Sequence, residues 1–418
     1  MQSRLPAPAD FLHDIASRFG DPTYVYFESV VRDRITRLRS ALEALPHRLL
    51  YAMKANHAPS ILSIMLDEGL GIDAVSPAEL MLAMEIGFPS ERIFYTANNM
   101  SDDEMTLARE RGAVLNIGEL SRLERFGRTF PGSDVSVRIN PTVGAGHHSH
   151  VVTAGSDSKF GVPLEALDQI KETAERYDLR IIGLHQHIGS GILDTRKLHQ
   201  AMEVILSTAE RFEHLRFLNV GGGLGVPYRP DDAPLDLDRF RELIVEPLLS
   251  FRERHPADAL TFWFEPGRFL TAESGVLLAR VTTLKSSGGR TFAGLDTGMN
   301  HLLRPALYGS YHHVVNCSNP DGAVQTYDVV GNICESADFF GRDRAVAEIR
   351  EGDVLAICDA GAYGISMAST YNLRPLPAEV FVDAENGEAR LIRPRQSSAD
   401  LVREIMAHFS GVPSRRTR

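Results

Sequence analysis

The stretch RLLYAMKAN, residues 48–56, decides the fold. Its first half is an apolar run that predicts a buried strand, and Lys54 with the small residue and amide after it predicts a turn. Burying an ammonium is costly unless it is paired or neutralised. Desolvation favours the neutral amine, which can form a Schiff base. Lys54 is therefore a candidate catalytic amine. The alternative is a lysine that extends from the strand end into water.

Composition predicts a globular protein of more than one domain. The chain has 418 residues, 43% of them hydrophobic and 24% charged, so two domains are expected. A net charge of -11 argues against a nucleic-acid or anionic-membrane partner. No apolar run is long enough for a membrane span, and the amino terminus lacks a signal-peptide pattern. Three cysteines are too few for a disulfide framework. A cytoplasmic protein is expected.

Predicted strands and helices alternate over residues 28–274. Helices are predicted from Glu28, from Pro59, and over 77–86, 102–111, 163–177, 194–212 and 236–254. The predicted strands are the one before Lys54 and 71–75, 92–96, 113–117, 135–140, 180–188, 217–220 and 261–265. Eight strands that alternate with helices predict an α/β fold, a (β/α)8 TIM-like barrel. A doubly wound open sheet is the competing prediction.

Polar residues at the ends of these strands favour the barrel. They are Lys54, Asp73, Asn140, His187, the glycines 221–223, and Glu265. Barrel enzymes assemble their sites at the carboxyl ends of the strands. The glycine run follows strand seven, and Pro266-Gly267-Arg268 follows strand eight. Small residues there let backbone N–H groups approach a phosphate.

Residues 275–418 predict a second, mostly β domain of the sandwich or barrel type. Short strands are predicted at 275–284, 290–295, 325–330, 353–357, 378–382 and 388–392. Ser287-Gly288-Gly289 and Asn386-Gly387 predict hairpin turns between them. Residues 1–27, irregular apart from a strand at 23–27, are expected to join this domain. The basic tail 414–418 is expected to be disordered.

A lysine, a phosphate cradle and the carboxylate Glu265 together suggest pyridoxal phosphate. This cofactor needs an amine for its aldehyde, a cradle for its phosphate, and an acid near its ring nitrogen. Glu265 is suited to the last role, although a strand-end carboxylate can also simply cap a turn. His187 is suited to stacking on a flat ring, and Ser190 to bonding a phosphate.

A metal-dependent barrel hydrolase is the alternative for the histidines. His185 and His187 are two residues apart on a predicted strand, so both are expected on one face. His147, His148 and His150 could add ligands, although a solvated polar loop is the simpler interpretation. No acidic cluster accompanies the pair, so no metal is predicted.

The second domain supplies further candidates. Cys334, flanked by Glu335 and Ser336, could donate a proton; a lone cysteine can also be a small core residue. Arg268 and Arg304 are candidate carboxylate ligands because the guanidinium fork matches a carboxylate, and Tyr308 is grouped with them. Each could equally be an ordinary surface residue.

Nine motifs in order resemble the alanine-racemase-like, fold-type III pyridoxal-phosphate decarboxylases. They are YAMKAN (51–56), SKFG (158–161), HQHIGSG (185–191), NVGGGLG (219–225), EPGR (265–268), RPALYGSYH (304–312), CES (334–336), DAGAYG (359–364) and STYN (369–372). They span nearly the whole chain, and their combination is highly specific.

The resemblance implies a role for each candidate. Lys54 would hold pyridoxal 5'-phosphate covalently, His187 would stack on its ring, and Glu265 would bond its ring nitrogen. The other implied cofactor ligands are Asp73, Ser190, Gly223, Gly267, Arg268 and Tyr371. The implied substrate ligands are Arg268, Arg304, Tyr308, Tyr371, and Glu335 of the neighbouring subunit. Cys334 of that neighbour would protonate the substrate carbon after CO2 leaves. A homodimer with shared active sites is therefore implied.

The motifs match best the branch of this family that acts on diaminopimelate. Glu335 and Ser336 follow that pattern, whereas relatives acting on ornithine or lysine commonly carry aspartate after the cysteine. Related enzymes acting on D-ornithine, D-lysine, carboxynorspermidine or a siderophore precursor remain alternatives, as does a non-catalytic cofactor carrier. Ala337, Gln186 and Ala154 depart from the commonest residues and bear only on fine substrate preference.

Overall fold

The computed structural model describes residues 4–144, 158–255 and 260–408. The predictions for His147, His148, His150, Ala154 and the tail 414–418 lie outside these residues.

The strands are numbered by their order along the chain. They are β1 Thr23–Phe27, β2 His47–Ala52, β3 Gly71–Ala74, β4 Ile93–Tyr95, β5 Val114–Ile117, β6 Asp134–Asn140, β7 Val162–Pro163, β8 Arg180–His185, β9 Phe217–Asn219, β10 Thr261–Phe264, β11 Gly275–Ser287, β12 Arg290–Leu295, β13 Val314–Asn316, β14 Val324–Val330, β15 Phe339–Ala347, β16 Val354–Ile357, β17 Ala378–Val382 and β18 Ala389–Arg393.

The α-helices are α1 Ala9–Phe19, α2 Glu28–Leu42, α3 Pro59–Asp67, α4 Pro77–Ile86, α5 Asp102–Glu110, α6 Leu120–Thr129, α7 Leu167–Arg176, α8 Thr195–Ala209, α9 Leu237–Phe240, α10 Glu246–Arg254, α11 Arg268–Thr271, α12 Arg304–Tyr308 and α13 Ser398–His408. The chain divides into two compact units. The barrel unit is Ser29–Ala272, and the β unit is Met1–Glu28 with Glu273–Arg418.

Eight parallel strands close into a ring in the barrel unit. Neighbours pair in the order β2, β3, β4, β5, β6, β8, β9, β10, and β10 pairs back with β2. The short β7 pairs with β6 outside the ring. The barrel prediction is confirmed, and the open sheet is excluded because both ends of the sheet are paired.

Large apolar side chains fill one layer of the barrel interior. Leu50, Phe94, Ile182, Phe217 and Trp263 form this cluster. The rings of Phe217 and Trp263 are stacked with centroids 3.7 Å apart. Close packing of this kind makes the interior a core rather than a channel.

The β unit contains a second sheet in which the first strand of the chain is internal. Its order is β15-β14-β12-β11-β1-β17-β18, with β16 pairing β11 and β13. β1 lies between the antiparallel β11 and the parallel β17. The predicted mostly β region is confirmed. Both predicted hairpin turns are present, with positive φ at Gly288, Gly289 and Gly387, as such turns require.

Two predictions about local structure are wrong. Residues 1–27 are not irregular, because they contain α1, whose residues Leu12, Ile15 and Ala16 are buried. The strand predicted at 180–188 ends at His185, and the loop beyond it contains Gly189 and Gly191 with positive φ of 147° and 75°. His185 and His187 are therefore not two residues of one strand.

Several further elements were not predicted, α6 among them, and three of these have weak sequence patterns. β13 has only three residues, β15 is interrupted by the charged residues 342–344, and α13 has a single buried residue, Leu401. Each therefore lacks a strong periodic signal in the sequence. Among the residues described, no helix combines the length and apolar character needed to cross a membrane.

Candidate active site

Lys54 lies on a short turn immediately after β2. The turn is a 3-10 helix, Met53–Ala55. The Ala52 N–H donates to the carbonyl of Pro266 at 3.1 Å, and Asn56 Oδ1 accepts from the Ala58 N–H at 2.9 Å. These bonds fix the turn at the carboxyl end of the barrel, where the sequence predicted it.

Lys54 forms an ion pair with a buried carboxylate. Its Nζ is 2.8 Å from Asp73 Oδ2, and the Asp73 side chain is fully buried whereas that of Lys54 is 38% exposed. Burial raises the pKa of Asp73, and the charge of Lys54 acts in the opposite direction. The other oxygen, Asp73 Oδ1, has no hydrogen-bond partner within the described part of the chain.

Glu265, directly after β10, accepts one hydrogen bond at each oxygen. Asn219 Nδ2 donates to Oε1 at 2.7 Å, and His185 Nε2 contacts Oε2 at 3.2 Å. Only 4% of Glu265 is exposed. Burial raises its pKa, while the charge of Lys54 and the Asn219 bond lower it. The carboxylate is thus fixed in position by two buried side chains.

The hydrogen bonds of His185 assign its proton. Its Nδ1 is 2.9 Å from the Asn116 amide nitrogen, which also donates to Thr96 Oγ1 at 2.8 Å. Because an amide nitrogen can only donate, Nδ1 accepts and Nε2 carries the hydrogen. Burial lowers the pKa of His185 well below its ordinary value. A neutral His185 therefore donates to Glu265.

His187 contacts the glycine loop instead. The Gly222 N–H donates to its Nδ1 at 3.1 Å, and burial lowers the pKa of His187 well below its ordinary value. A Cβ on Gly222 would lie 2.0 Å from the Glu265 carbonyl oxygen, so only glycine fits. Both ring nitrogens of His185 and the Nδ1 of His187 are thus engaged by other residues of the protein. Within residues 4–144, 158–255 and 260–408, no group of three potential metal ligands occurs.

Ser190 and Arg268 contact each other. Arg268 Nε and Nη2 donate to Ser190 Oγ at 3.3 and 2.9 Å, and its Nη1 donates to the Tyr228 hydroxyl at 3.0 Å. Arg268 is 5% exposed. A guanidinium and a hydroxyl are therefore side by side, as a phosphate site requires. Tyr228 was not predicted.

Gly223 and Gly267 allow the loops to pack closely. Gly223 has φ of 100°, and a Cβ there would be 2.5 Å from the Gly189 carbonyl oxygen. A Cβ on Gly267 would lie 3.0 and 3.1 Å from the Cβ atoms of Ala52 and Ala55. Side chains at these positions would displace the loops after β8 and β2.

Arg138 is a buried residue of β6 that sequence reasoning missed. It is 6% exposed, and its guanidinium lies 4.8 Å from the centre of the Phe160 ring. Burial lowers its pKa, while Glu265 and Asp73 act in the opposite direction. Its signal in the sequence was an arginine within the predicted strand 135–140, VSVRIN. Asn116, in VLNI, gave a similar signal.

These residues fit pyridoxal phosphate. Lys54 supplies an amine, Glu265 an acid for a ring nitrogen, and Ser190 with Arg268 donors for a phosphate. The free oxygen of buried Asp73 adds an acceptor beside the lysine. The site therefore offers suitable groups for the aldehyde, the ring nitrogen and the phosphate of this cofactor.

A buried aspartate shapes the Cys334 loop of the β unit. Asp338 accepts the N–H groups of Ile333 and Met299, both at 2.7 Å, and only 4% of it is exposed. Cys334 itself is exposed, and its N–H donates to Asn372 Oδ1 at 2.8 Å. Asp338 therefore fixes the backbone beside Cys334, whose side chain is exposed. Sequence reasoning gave this aspartate no role.

Glu335 and Tyr371 are hydrogen-bonded within the β unit. The Tyr371 hydroxyl donates to Glu335 Oε1 at 2.7 Å, which raises the pKa of Tyr371. Tyr371 is 46% exposed. While this hydrogen bond is kept, Glu335 and Tyr371 of one chain can only contribute to the same active site.

Arg304 and Tyr308 are the first and last residues of α12. Arg304 is fully buried; its Nη1 donates to His312 Nε2 at 2.9 Å and its Nη2 to Ser310 Oγ at 3.3 Å. Tyr308 is half-buried. The structure therefore gives Arg304 a rigid, enclosed position, and its role toward substrate stays a prediction.

The structure brings the predicted residues together in two sets. In the barrel unit, direct hydrogen bonds join Lys54 to Asp73 and Ser190 to Arg268. In the β unit, Cys334 and Glu335 are joined to the segment that carries Tyr371.

The chain is similar to known pyridoxal-dependent decarboxylases along most of its length. The family described as "Pyridoxal-dependent decarboxylase, pyridoxal binding domain" matches residues 28–272. A diaminopimelate decarboxylase of Methanothermobacter thermautotrophicus is 42% identical over 399 residues, which cover 93% of this chain and 92% of that protein.

Solved structures agree in fold. A crystal structure of diaminopimelate decarboxylase superposes with a TM-score of 0.88 at 34% identity, covering 96% of this chain and 97% of the other. The Helicobacter pylori diaminopimelate decarboxylase complexed with L-lysine gives a TM-score of 0.86 at 31% identity, covering 95% and 100%. With its closed barrel, its lysine and its buried carboxylate, the chain belongs to the pyridoxal-dependent decarboxylases and, among them, to the diaminopimelate decarboxylase family.

Proposed function

We propose that this chain decarboxylates meso-2,6-diaminopimelate to L-lysine and CO2, the last step of that lysine pathway. The observation that carries the proposal is the buried carboxylate of Glu265, held by Asn219 and His185. A carboxylate beside the cofactor's ring nitrogen keeps that nitrogen protonated, which favours decarboxylation. The relatives' names support the choice of substrate.

The barrel unit supplies the cofactor ligands in this proposal. Lys54 would hold the aldehyde through its amine, Asp73 would orient that amine, and His187 would lie against the ring. The phosphate would be held by Ser190, Arg268 and the backbone of Gly223 and Gly267. When bound, pyridoxal phosphate withdraws electrons from the bond to the departing carboxylate.

The β unit supplies the proton and part of the substrate site. When CO2 leaves, its bonding electron pair stays on the substrate α-carbon, and the Cys334 thiol delivers a proton there. Asp338 holds the cysteine loop through the N–H groups of Ile333 and Met299. The loop is thereby held in a fixed conformation while the Cys334 thiol stays exposed.

The distal end of the substrate carries an amine and a carboxylate. Arg268, Arg304, Tyr308, Glu335 and Tyr371 are proposed as its ligands, since guanidinium and hydroxyl donors suit a carboxylate and Glu335 suits an amine. An exposed Glu335, already hydrogen-bonded to Tyr371, is available for that role.

We further propose that residues 28–274 and 275–418, the latter with 1–27, act as two domains of a cytoplasmic homodimer. Each active site would then combine Lys54 of one subunit with Cys334 of the other. The exposed Cys334 and the half-exposed Tyr371 support a β-unit surface that meets a second chain.

The test is CO2 release by the holoenzyme from meso-diaminopimelate, D-ornithine, D-lysine and carboxynorspermidine, each supplied separately. We expect preferential release from diaminopimelate, with one lysine formed for each CO2. Lys54→Ala is the control variant and should abolish turnover, because it removes the amine that holds the cofactor.

Release from another amine alone would discard the proposed substrate and retain the cofactor site. No release from any of them, with cofactor bound, would favour a non-catalytic carrier.

A further inference from the structure

A cavity lies at the amino-terminal end of the barrel, at the opposite end of the strands from Lys54. Its volume is about 230 Å³. It opens where β2, β3 and β4 begin, between His47, the segment 69–71 and Arg92. None of the residues proposed to bind cofactor or substrate lines it.

The charged residues that line this cavity are all basic. Arg39, Arg48 and Arg92 line it together with His47. Its remaining lining residues are leucines and glycines, Leu49, Leu50, Gly69, Leu70 and Gly71. The lining therefore creates a positive potential that attracts an anion.

One of the three arginines is already neutralised. Arg39 Nη1 is 3.0 Å from Glu68 Oε2, and Arg32 binds the other oxygen of Glu68 at 2.7 Å. Glu68 lies outside the cavity lining. Arg39 thus forms part of the cavity wall, but its positive charge is balanced by Glu68.

Arg48 and Arg92 keep most of their donors available. Arg48 Nη1 makes one long contact, 3.4 Å, to the carbonyl oxygen of Glu91. Both side chains are exposed, and Arg92 has no side-chain hydrogen bond or ion pair with any described residue. Two guanidinium groups therefore face the cavity with few protein acceptors.

We propose that this cavity binds a phosphate or carboxylate group of a small molecule. The guanidinium fork matches both groups, and the lining is open at Gly69, where no atom lies within 4 Å of the position of a Cβ. The site does not depend on the proposed reaction, since none of its lining residues has a role in it.

The chain carries its own reporter of this site. Trp263 is the single tryptophan, and the Arg48 guanidinium lies 5.3 Å from the centre of its ring. Arg48 and Trp263 are paired on neighbouring strands. An anion bound to Arg48 changes the electric field at the indole, so it should change the fluorescence of Trp263.

The experiment is a titration of the holoenzyme with inorganic phosphate and, separately, with succinate. Chloride at matched ionic strength is the reference, because screening alone depends on ionic strength. Bound cofactor excludes the probes from its own phosphate cradle, and its visible absorbance reports any displacement. We expect a saturable change in Trp263 emission with at least one probe.

Two variants locate the effect. Arg92→Gln should weaken binding at least tenfold while leaving the indole environment alone. Arg48→Gln changes the surroundings of the indole directly, so fluorescence cannot report on this variant. Its affinity for the anion is measured by titration calorimetry instead and should also fall at least tenfold. Lys197→Gln removes one exposed positive charge from α8 and should bind as the original protein does.

Phosphate binding without succinate binding would assign the site to phosphate compounds, and the reverse to carboxylates. Equal responses to both probes and to chloride would overturn the proposal. So would a saturable response that persists unchanged in Arg92→Gln and Arg48→Gln.

Discussion

At the scale of single residues, the environment of Glu265 is the most informative feature of the barrel. Its two oxygens accept from Asn219 and His185, and His185 in turn accepts from Asn116. The chain thus holds a carboxylate in place by neutral donors. A hydrogen bond to a charged group contributes about 1.5–3 kcal/mol.

Replacing His185 should therefore impair turnover. His185→Leu leaves Glu265 Oε2 and the Asn116 amide without this partner, and we expect kcat to fall about tenfold to a hundredfold. His185→Gln retains a donor and should recover much of the loss. Steady-state kinetics and the visible absorbance of bound cofactor are the measurements.

If His185 served only in packing, His185→Gln would not be more active than His185→Leu. In that case both variants would lose folded protein to a similar degree, and the cofactor spectrum of whatever folds would match that of the unmodified enzyme.

The residues that the sequence could identify were those whose chemistry is unusual for their position. A lysine after an apolar strand and a glutamate after another stood out, and the structure places both at the carboxyl ends of barrel strands. Asn116 and Asp338 were missed because their role is to hold other residues. Such roles depend on contacts between distant segments, for example Asp338 with Met299.

At the scale of secondary-structure elements, strand and helix periodicity predicted the barrel well. Two exceptions stand out: β8 ends at His185, and α1 was missed although Leu12, Ile15 and Ala16 lie at helical spacing and are buried. The region after Leu237 is another example, where the π-helical turn Arg241–Val245 interrupts the predicted helix. Pro247 cannot donate to the Leu243 carbonyl, which instead accepts from His199 Nδ1 at 2.7 Å.

His301 links two segments of the β unit and should make it sensitive to acid. Its Nδ1 is 2.9 Å from the Thr297 hydroxyl, and its Nε2 is 3.1 Å from the Pro375 carbonyl. Burial lowers its pKa to about 4. The unfolded chain, with a histidine pKa of about 6.5, then binds more protons between these values.

Folding stability is therefore lost as pH falls from about 6.5 toward 4. We expect His301 to contribute a loss of about 2 kcal/mol between pH 8 and pH 5. Urea unfolding at both pH values measures it, with His301→Gln expected to show a smaller loss. His408→Gln, at an exposed position of α13, is the control. An equal pH dependence in all three proteins would contradict this assignment.

At the scale of the whole molecule, the proposed catalytic groups are divided between the two units. Lys54 and Glu265 belong to the barrel unit, and Cys334 and Glu335 belong to the β unit. The sequence could assign these residues to regions of the chain, since their motifs are local. Assembly between chains depends on surfaces, and no local pattern specifies those.

The central claim is that Lys54 of one subunit and Cys334 of another form one decarboxylation site. The most direct measurement uses hybrid dimers of Lys54→Ala and Cys334→Ala, co-expressed with different tags and purified through both. In a shared-site dimer one site loses both groups and the other keeps both. We predict about half the CO2 release of the unmodified dimer, well above the mean of the two parent variants. Hybrid dimers no more active than that mean would contradict the claim.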